Sequence, residues 1–242
     1  MARIVRRIAR KVTPDFVKSL YRSWVGAKSN AAKPQSEEDR LEAMVGPPGV
    51  WQESRDFQID FLRRKNLQPA HRVLDIGCGP LRGGIPLIRY LNASRYTGLD
   101  IRPSVVEEAW RQIEKEDLVS KLPCVLVSDG FGRDELGDIK FDYIWCFQVL
   151  YHLDDDLVEQ CLEQVASRLA ADGRCYANIN VVSEEGTWLE FPYLRRSLDF
   201  YEALANKFGL VTLDLGQQRE WGYTDKVPGQ FDHLLEIRVA PD

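Results

Sequence analysis

The sequence predicts an α/β fold in which helices cover both faces of a mostly parallel β-sheet, and three observations support this prediction. Short apolar segments alternate with longer amphipathic segments from residue 72 to residue 181, which is typical of parallel strands joined by helices. A glycine-rich turn follows the first strand. The last two apolar segments have no helix between them, so we expect these two strands to pair antiparallel.

The predicted elements follow one another in a regular order. The expected strands are Arg72–Ile76, Tyr96–Leu99, Cys124–Ser128, Phe141–Cys146, Arg174–Val181, Leu210–Leu215 and Phe231–Val239. The expected helices are about 51–66, the glycine turn to Leu91, Pro103 to about Lys115, Asp154 to Ala171, and Leu198–Phe208. Asp172-Gly173 and Gly209 should end the last two helices, because glycine and aspartate favour turns.

The chain divides into a basic N-terminal arm and an acidic body. Residues 1–33 carry nine Lys or Arg and one Asp, a net charge of +8, whereas the other 209 residues carry −13. Two short amphipathic helices separated at Thr13-Pro14 are expected in the arm, and the small, polar segment from Gly26 to Asp39 is typical of a linker. We therefore expect an arm and linker over residues 1–39 and one domain over residues 40–242.

Composition and cysteine spacing exclude several classes of protein. The 242 residues are 29% charged and 44% apolar, and no apolar run approaches the roughly 18 residues of a membrane-spanning helix. The five cysteines form no Cys-x-x-Cys pair, which argues against a zinc site and a disulfide framework. We expect a reducing, cytoplasmic environment. Arginines interrupt the apolar residues of segment 1–12, so no secretory signal is expected.

The turn after the first strand is the most informative segment, with the sequence Val-Leu-Asp-Ile-Gly-Cys-Gly-Pro-Leu-Arg-Gly-Gly over residues 73–84. Gly77 and Gly79 let the backbone turn sharply and approach a ligand closely. The dinucleotide-binding pattern Gly-x-Gly-x-x-Gly would need a glycine where Arg82 stands. Asp75 near the strand end suits a ligand with a cationic amino group.

At these residues the sequence resembles the class I S-adenosylmethionine-dependent methyltransferases, whose first motif has the form acid, glycine, variable residue, glycine. The similarity covers about residues 45–240 and is closest to bacterial methyltransferases of small molecules and glycans. It implies a Rossmann-like sheet of seven strands with a final antiparallel strand, and S-adenosyl-L-methionine as the cofactor. In one departure from the motif, the third glycine is displaced to Gly83.

The resemblance also assigns cofactor contacts. Asp100, 25 residues after Asp75, would accept hydrogen bonds from both ribose hydroxyls. Asp129 would accept one from the exocyclic amine of adenine, and Phe147 begins the loop beneath the reactive methyl group. The implied cofactor-binding residues are Asp75, Gly77, Gly79, Asp100, Ile101, Asp129, Gly130 and Phe147. No metal site is expected, because Cys146 and Phe147 stand where a magnesium-dependent relative would need an acid.

His152 is the candidate general base. Its unperturbed pKa is near neutrality, and it lies one short loop after the fourth strand. A hydroxyl acceptor usually needs such a base, whereas an amine attacks once it is neutral. The alternative role for His152 is structural, with the ring only ordering the loop. His71 and His233 are not well placed for catalysis.

Aromatic and cationic side chains in two insertions indicate the kind of acceptor. The segment after the fourth strand lacks the patterns used to methylate base amines or cytosine C5. The insertions, residues 183–197 and 217–230, offer rings and cations for a small ring-containing acceptor, namely Trp188, Phe191, Tyr193, Arg195, Arg196, Arg219, Trp221, Tyr223 and Lys226. We therefore expect O-methylation of a saccharide or other small molecule; core packing of these aromatics is the alternative.

Other functions and partners stay open at this point. An RNA-directed methyltransferase could use the basic arm to bind phosphates, although the acidic body argues against a long nucleic-acid track. A non-catalytic cofactor-binding partner of another enzyme is the second alternative. The arm keeps an apolar face that ends at Trp24, so residues 1–25 could bind an anionic membrane surface. A mitochondrial transit peptide and docking onto the body are the alternatives for the arm.

Overall fold

The computed structural model describes residues 36–46, 49–188, 191–224, 226 and 228–241. The strands are β1 (Val73–Ile76), β2 (Tyr96–Asp100), β3 (Cys124–Val127), β4 (Phe141–Cys146), β5 (Leu169–Ile179), β6 (Gly186–Trp188), β7 (Phe191–Tyr193), β8 (Leu210–Gln217) and β9 (His233–Val239). The helices in the described residues are α1 (Glu37–Glu42), α2 (Trp51–Arg64), α3 (Gly84–Tyr90), α4 (Pro103–Lys115), α5 (Asp155–Arg168) and α6 (Leu198–Lys207).

Seven strands form one sheet in the order β3-β2-β1-β4-β5-β9-β8, and β6 and β7 form a separate hairpin. Strand β9 runs antiparallel to both β5 and β8, whereas the other pairs in the sheet are parallel. The predicted α/β fold with a final antiparallel strand is therefore confirmed. The chain order reverses between β1 and β4, and ligands of open α/β sheets bind at the carboxyl ends of strands beside such a reversal.

Two apolar layers hold the sheet between the helices. Helices α2, α3 and α4 pack on one face, and α5 and α6 pack on the other. Trp145 in β4 is fully buried and stacks on Phe147 with a ring separation of 5.1 Å, while Phe61 of α2 packs against it at 5.6 Å. The rigid centre of the sheet therefore supports the loop that follows β4.

The end of α5 and the start of β5 differ from the prediction. Helix α5 ends at Arg168 rather than Ala171, and β5 begins at Leu169 rather than Arg174. Leu169 pairs with Phe141 before a register shift, and pairing resumes with Arg174 opposite Tyr143. The buried Arg168 donates to the carbonyls of Gly132 and Gly137 at 2.6 and 2.8 Å, and these long-range bonds hold the helix end in place.

Helix α1 lies partly within the predicted linker. Ser36 and Asp39 form a capping box, and the Arg40 guanidinium binds Glu108 of α4 at 2.8 and 2.9 Å. Residues 37–39 are therefore helical and their helix is attached to the body, because the Ser-x-x-Asp cap that starts at Ser36 outweighs the polar composition used to predict a linker. The rest of the predicted arm and linker, residues 1–35, lies outside the described residues.

Among the described residues, no helix combines the length and the apolar composition of a membrane-spanning segment.

Candidate functional site

A cleft opens at the carboxyl ends of β1, β2 and β4. Most of the predicted site residues line it, namely Asp75, Gly77, Gly79, Asp100, Ile101, Asp129, Phe147 and His152. Gly130 follows Asp129 in the chain but is not part of the cleft lining. The topology thus brings together residues that are distant in the sequence.

The glycine turn forms the floor of the cleft. Gly77 and Gly79 have positive φ angles of +73° and +56°. A Cβ atom at Gly77 would clash with the Val149 side chain, and one at Gly79 would lie 2.8 Å from Val45 Cγ1. The Gly77 amide donates to the Leu99 carbonyl at 2.8 Å, which holds the turn against β2. The backbone here leaves no space for a side chain.

The displaced third glycine of the motif has a packing role. Gly83 lies beneath Gln58, and a Cβ atom at Gly83 would clash with the amide of that side chain. Leu81 instead adopts the left-handed conformation two residues after Gly79, with φ +67°. The turn therefore keeps its shape although a leucine replaces the glycine that would favour it.

Asp75 is a buried carboxylate at the centre of the site. Tyr96 Oη donates to its Oδ2 at 2.7 Å. Burial raises the pKa of Asp75 to about 7, and the negative charge of Asp100 adds to this shift. A cationic ligand group beside Asp75 would therefore stabilise its charged form.

Asp100 ends β2 and is held by four donors. The Gly79 amide donates to Oδ2 at 3.1 Å and the Arg102 amide to Oδ1 at 2.9 Å, while the Arg102 guanidinium binds both oxygens at 3.1 and 3.2 Å. Arg102 also donates to the Met44 carbonyl at 2.8 Å and lies 5.7 Å from the centre of the Phe191 ring. Arg102, which the sequence analysis missed, thus connects three segments around the cleft.

The loop after β4 forms the far wall of the cleft. Gln148 has a φ of +59°, and its amide donates to Asn178 Oδ1 at 2.5 Å. Its side chain accepts from Arg82 at 2.6 Å and donates to Tyr223 Oη at 2.9 Å. Three hydrogen bonds therefore keep Gln148 in an unfavourable backbone conformation beside Phe147.

His152 lies in a 3₁₀ turn, Leu150–His152, and its Nδ1 is 2.5 Å from the Pro192 carbonyl. A carbonyl only accepts, so Nδ1 donates its hydrogen to Pro192, and Nε2 of the neutral ring is an acceptor. Burial lowers the pKa of His152 below its ordinary 6.5, and the charge of Arg102 acts in the same direction. The ring is therefore neutral near pH 7 and can accept a proton.

Only part of the two predicted insertions reaches the cleft. Phe191 and Pro192 of the hairpin line it, and Tyr223 is buried against Gln148. Trp221 instead packs on Phe61 in the core, at 5.2 Å between ring centres, and the side chain of Trp188 lies outside the described part of the chain. Tyr193 also does not line the cleft.

The cations of the cleft are not the ones predicted. The set expected around the acceptor, Arg195, Arg196, Arg219 and Lys226, does not line it. Arg196, for example, binds Asp155 and the Leu153 carbonyl. The lining contains Arg82 and Arg102 instead. Sequence spacing could not distinguish these arginines from surface ones, because Gln148, which contacts Arg82, and Met44, which contacts Arg102, are distant in the sequence.

Comparisons with known proteins agree with the fold. Residues 74–175 match the family model of the methyltransferase domain. An S-adenosylmethionine-dependent methyltransferase from Clostridium acetobutylicum ATCC 824 shares 15% identity with a TM-score of 0.60, covering 80% of this chain and 94% of that chain.

Two further solved structures have the same fold. Magnesium protoporphyrin IX methyltransferase from Synechocystis PCC 6803 shares 16% identity with a TM-score of 0.64, covering 96% of this chain and 99% of that one. Mitomycin 7-O-methyltransferase shares 21% identity with a TM-score of 0.57, covering 92% and 67%. Residues 74–175 thus match a methyltransferase domain, and the whole chain shares the fold of solved S-adenosylmethionine-dependent methyltransferases.

Proposed function

We propose that this methyltransferase transfers a methyl group to a hydroxyl of a saccharide or another small-molecule acceptor. The observation that carries the proposal is the state of His152 on the cleft. Its Nδ1 hydrogen is committed to the Pro192 carbonyl, and burial keeps the ring neutral, so Nε2 can serve as a base. A hydroxyl acceptor needs such a base, whereas an amine does not.

The cleft offers the groups that S-adenosylmethionine requires. Asp75 supplies a carboxylate for the cationic amino group, and the glycine turn admits a ligand where a Cβ atom would not fit. Asp100 ends β2 where the ribose hydroxyls are expected, and Asp129 with the ring of Phe131 suits the adenine. When bound, the cofactor supplies an electrophilic methyl group on its sulfonium.

The chain itself contributes orientation and proton removal. Phe191 and Pro192 cover the His152 side of the cleft with apolar surface, which suits the face of a ring and excludes water. His152 Nε2 then takes the hydroxyl proton as the oxygen gains its methyl group. The Pro192 carbonyl holds the neutral ring in the required tautomer before this transfer and accepts the Nδ1 hydrogen after it.

The acceptor class is tested with methyl-labelled S-adenosylmethionine and a fractionated cell extract. We expect label in a saccharide or small-molecule fraction. Label in RNA would support the RNA-directed alternative, and the absence of product S-adenosylhomocysteine with every fraction would support a non-catalytic cofactor-binding partner.

The base role is tested with His152→Ala. We expect turnover to fall by about 10²- to 10⁴-fold because the proton acceptor is lost, while affinity for S-adenosylhomocysteine is unchanged. His71→Ala, remote from the cleft lining, is the matched control and should retain wild-type turnover. Near-normal turnover of His152→Ala would leave His152 with only the loop-ordering role.

We further propose a cytoplasmic location, with residues 1–25 holding the acidic body at an anionic membrane surface. The reducing environment indicated by the dispersed cysteines and the apolar, basic character of the arm support this proposal. A mitochondrial transit peptide and docking of the arm on the body are the competing interpretations.

A further inference from the structure

Arg82 is a buried cation on the wall of the cleft. It is 6% exposed, and its guanidinium donates to Gln148 Oε1 at 2.6 Å and lies 6.0 Å from the centre of the Trp51 ring. Among the described residues, its Nε atom has no hydrogen-bond partner. Glu42 contributes a favourable charge, but both its oxygens already accept amide hydrogens of Gly49 and Val50 at 2.7 Å.

A buried charge without an ion pair is costly for a folded protein. Burial lowers the pKa of Arg82, yet a guanidinium stays charged at any physiological pH. Its flat array of donors matches a carboxylate, to which it can donate two parallel hydrogen bonds. The side chain is thus suited to an anionic group of a ligand in the cleft.

The location of Arg82 indicates which anion this is. The nucleoside side of the cleft lies at Asp100 and Asp129, after β2 and β3, whereas Arg82 contacts Gln148 in the loop after β4. The amino-acid end of S-adenosylmethionine is opposite its adenosine end. We propose that Arg82 binds the carboxylate of the methionine part of the cofactor.

The test compares S-adenosylmethionine with decarboxylated S-adenosylmethionine, which lacks only this carboxylate, by calorimetric titration. We expect the wild type to prefer the intact cofactor by on the order of 10- to 100-fold, as for a charge-assisted hydrogen-bonded pair. Arg82→Gln should lose this preference while its affinity for the decarboxylated form is unchanged. Arg82→Lys should retain part of it.

Arg89→Gln is the matched control, because Arg89 lies on α3, the helix that follows Arg82, is exposed and pairs with Glu116. It should show the wild-type preference. A wild type that binds both ligands equally, or an Arg82→Gln variant that keeps the preference, would overturn the assignment. If Arg82→Gln does not fold, the test compares the preference for the intact cofactor in the wild type with that in Arg82→Lys. Binding needs no acceptor, so the result is independent of the proposed O-methylation.

Asp232 is a second unusual buried group. It is fully buried, and within the described residues it forms no ion pair. Its Oδ1 accepts from Tyr193 Oη at 2.9 Å, and its Oδ2 accepts from Asn178 Nδ2 at 3.2 Å. Burial raises the pKa of Asp232 to about 7.

The two hydrogen-bond partners of Asp232 connect it to two parts of the cleft, the hairpin beside His152 and the loop after β4. Tyr193 belongs to β7, where the preceding residue, Pro192, holds Nδ1 of His152. Asn178 belongs to β5, and its Oδ1 accepts the amide of Gln148. One carboxylate therefore stabilises both the hairpin over His152 and the left-handed backbone after β4.

We propose that Asp232 is a positioning residue, which sets the tautomer of His152 through the hairpin and the backbone of Gln148 through Asn178. The importance of Asp232 for methyl transfer rests on the proposed base role of His152. Asp232→Asn places an amide donor opposite Tyr193 or Asn178, each of which already donates there. The exchange Asp232→Asn with Asn178→Asp restores donors and acceptors along the same chain of bonds.

Nitrogen-15 NMR of the three histidines reads out the tautomer directly, with the His152 signals assigned from His152→Gln. We expect Nδ1 of His152 to carry the hydrogen in the wild type, a mixture of tautomers in Asp232→Asn, and the wild-type pattern again in the exchanged double variant. In the labelled-cofactor assay, kcat should fall about 10-fold or more in Asp232→Asn, with the KM for the cofactor unchanged.

Asp199→Asn, an exposed carboxylate on α6, is the matched control and should leave both readouts unchanged. The proposal would be overturned if His152 kept its wild-type tautomer in Asp232→Asn, or if the double variant restored neither that tautomer nor kcat. Tyr193→Phe removes the same hydrogen bond and serves if Asp232→Asn does not fold. If His152→Ala keeps full turnover, His152 is not the base. The nitrogen-15 signals of the His152 ring still test whether Asp232 sets its tautomer.

Discussion

We expect cofactor binding to depend on pH through Asp75, the residue proposed to bind the cationic amino group. A pKa of about 7 means that Asp75 is charged above neutrality and protonated below, and only the carboxylate attracts the cationic amino group. We expect the affinity for S-adenosylhomocysteine to fall roughly tenfold between pH 8 and pH 6. Calorimetric titration across this range measures the effect. A flat wild-type profile would contradict it, and Asp75→Asn should give a flat profile.

In the proposed binding mode, in which Asp100 accepts hydrogen bonds from the ribose, Arg102 competes for the same carboxylate. A carboxylate offers about four acceptor positions, and in this structure the Gly79 amide, the Arg102 amide and two guanidinium nitrogens use them. We expect Arg102→Gln to strengthen S-adenosylhomocysteine binding by about 3- to 10-fold, because the ribose no longer has to displace a charged donor. Weaker binding than the wild type would show that Arg102 supports Asp100 instead.

At the scale of elements, α1 is attached to α4 by an ion pair that should matter for stability. The hydrogen bond from Arg40, more than any other contact, lowers the pKa of Glu108 to about 2. The Glu108 side chain is 1% exposed and that of Arg40 39% exposed. Because the pKa is lowered on folding, this stabilisation is present above the unfolded value of 4.5 and is lost as the pH falls towards 2.

We therefore expect Arg40→Gln to lower the free energy of unfolding by about 1–2 kcal/mol at pH 7, since Arg111 and Gln112 still contact Glu108. The difference from the wild type should shrink as the pH falls from 4.5 towards 2. Urea unfolding at several pH values measures both effects. Lys115→Gln, which breaks an exposed pair with Glu37, is the control and should leave the free energy of unfolding nearly unchanged.

Element prediction succeeded where the signal was local. Pro103 begins α4, as expected for a proline at the first helical position, and Asp154 caps α5 through Leu157. It failed at the start of β5, where pairing with Phe141 extends the strand past the expected turn. Sheet pairing there outweighs the turn preference of Asp172-Gly173.

In the whole molecule, we expect membrane binding to depend on the basic arm and cofactor binding to depend on the body. Removing residues 1–30 should release the protein from vesicles that contain anionic lipid, because each basic residue near such a surface contributes roughly 1 kcal/mol. Cofactor affinity should be unchanged. Sedimentation with anionic and neutral vesicles measures this, and equal vesicle binding by the truncated and full chains would refute a membrane role for the arm.

The sequence by itself determined the order of strands and helices and the glycine turn after β1, because apolar periodicity and turn preferences are local properties. Most of the site residues that it indicated line the cleft, since they follow the ends of predicted strands. Only the tertiary structure decided which residues contact one another: Arg82 and Gln148, His152 and Pro192, Tyr193 and Asp232. These pairs are 39 to 66 positions apart, and no local pattern encodes such contacts.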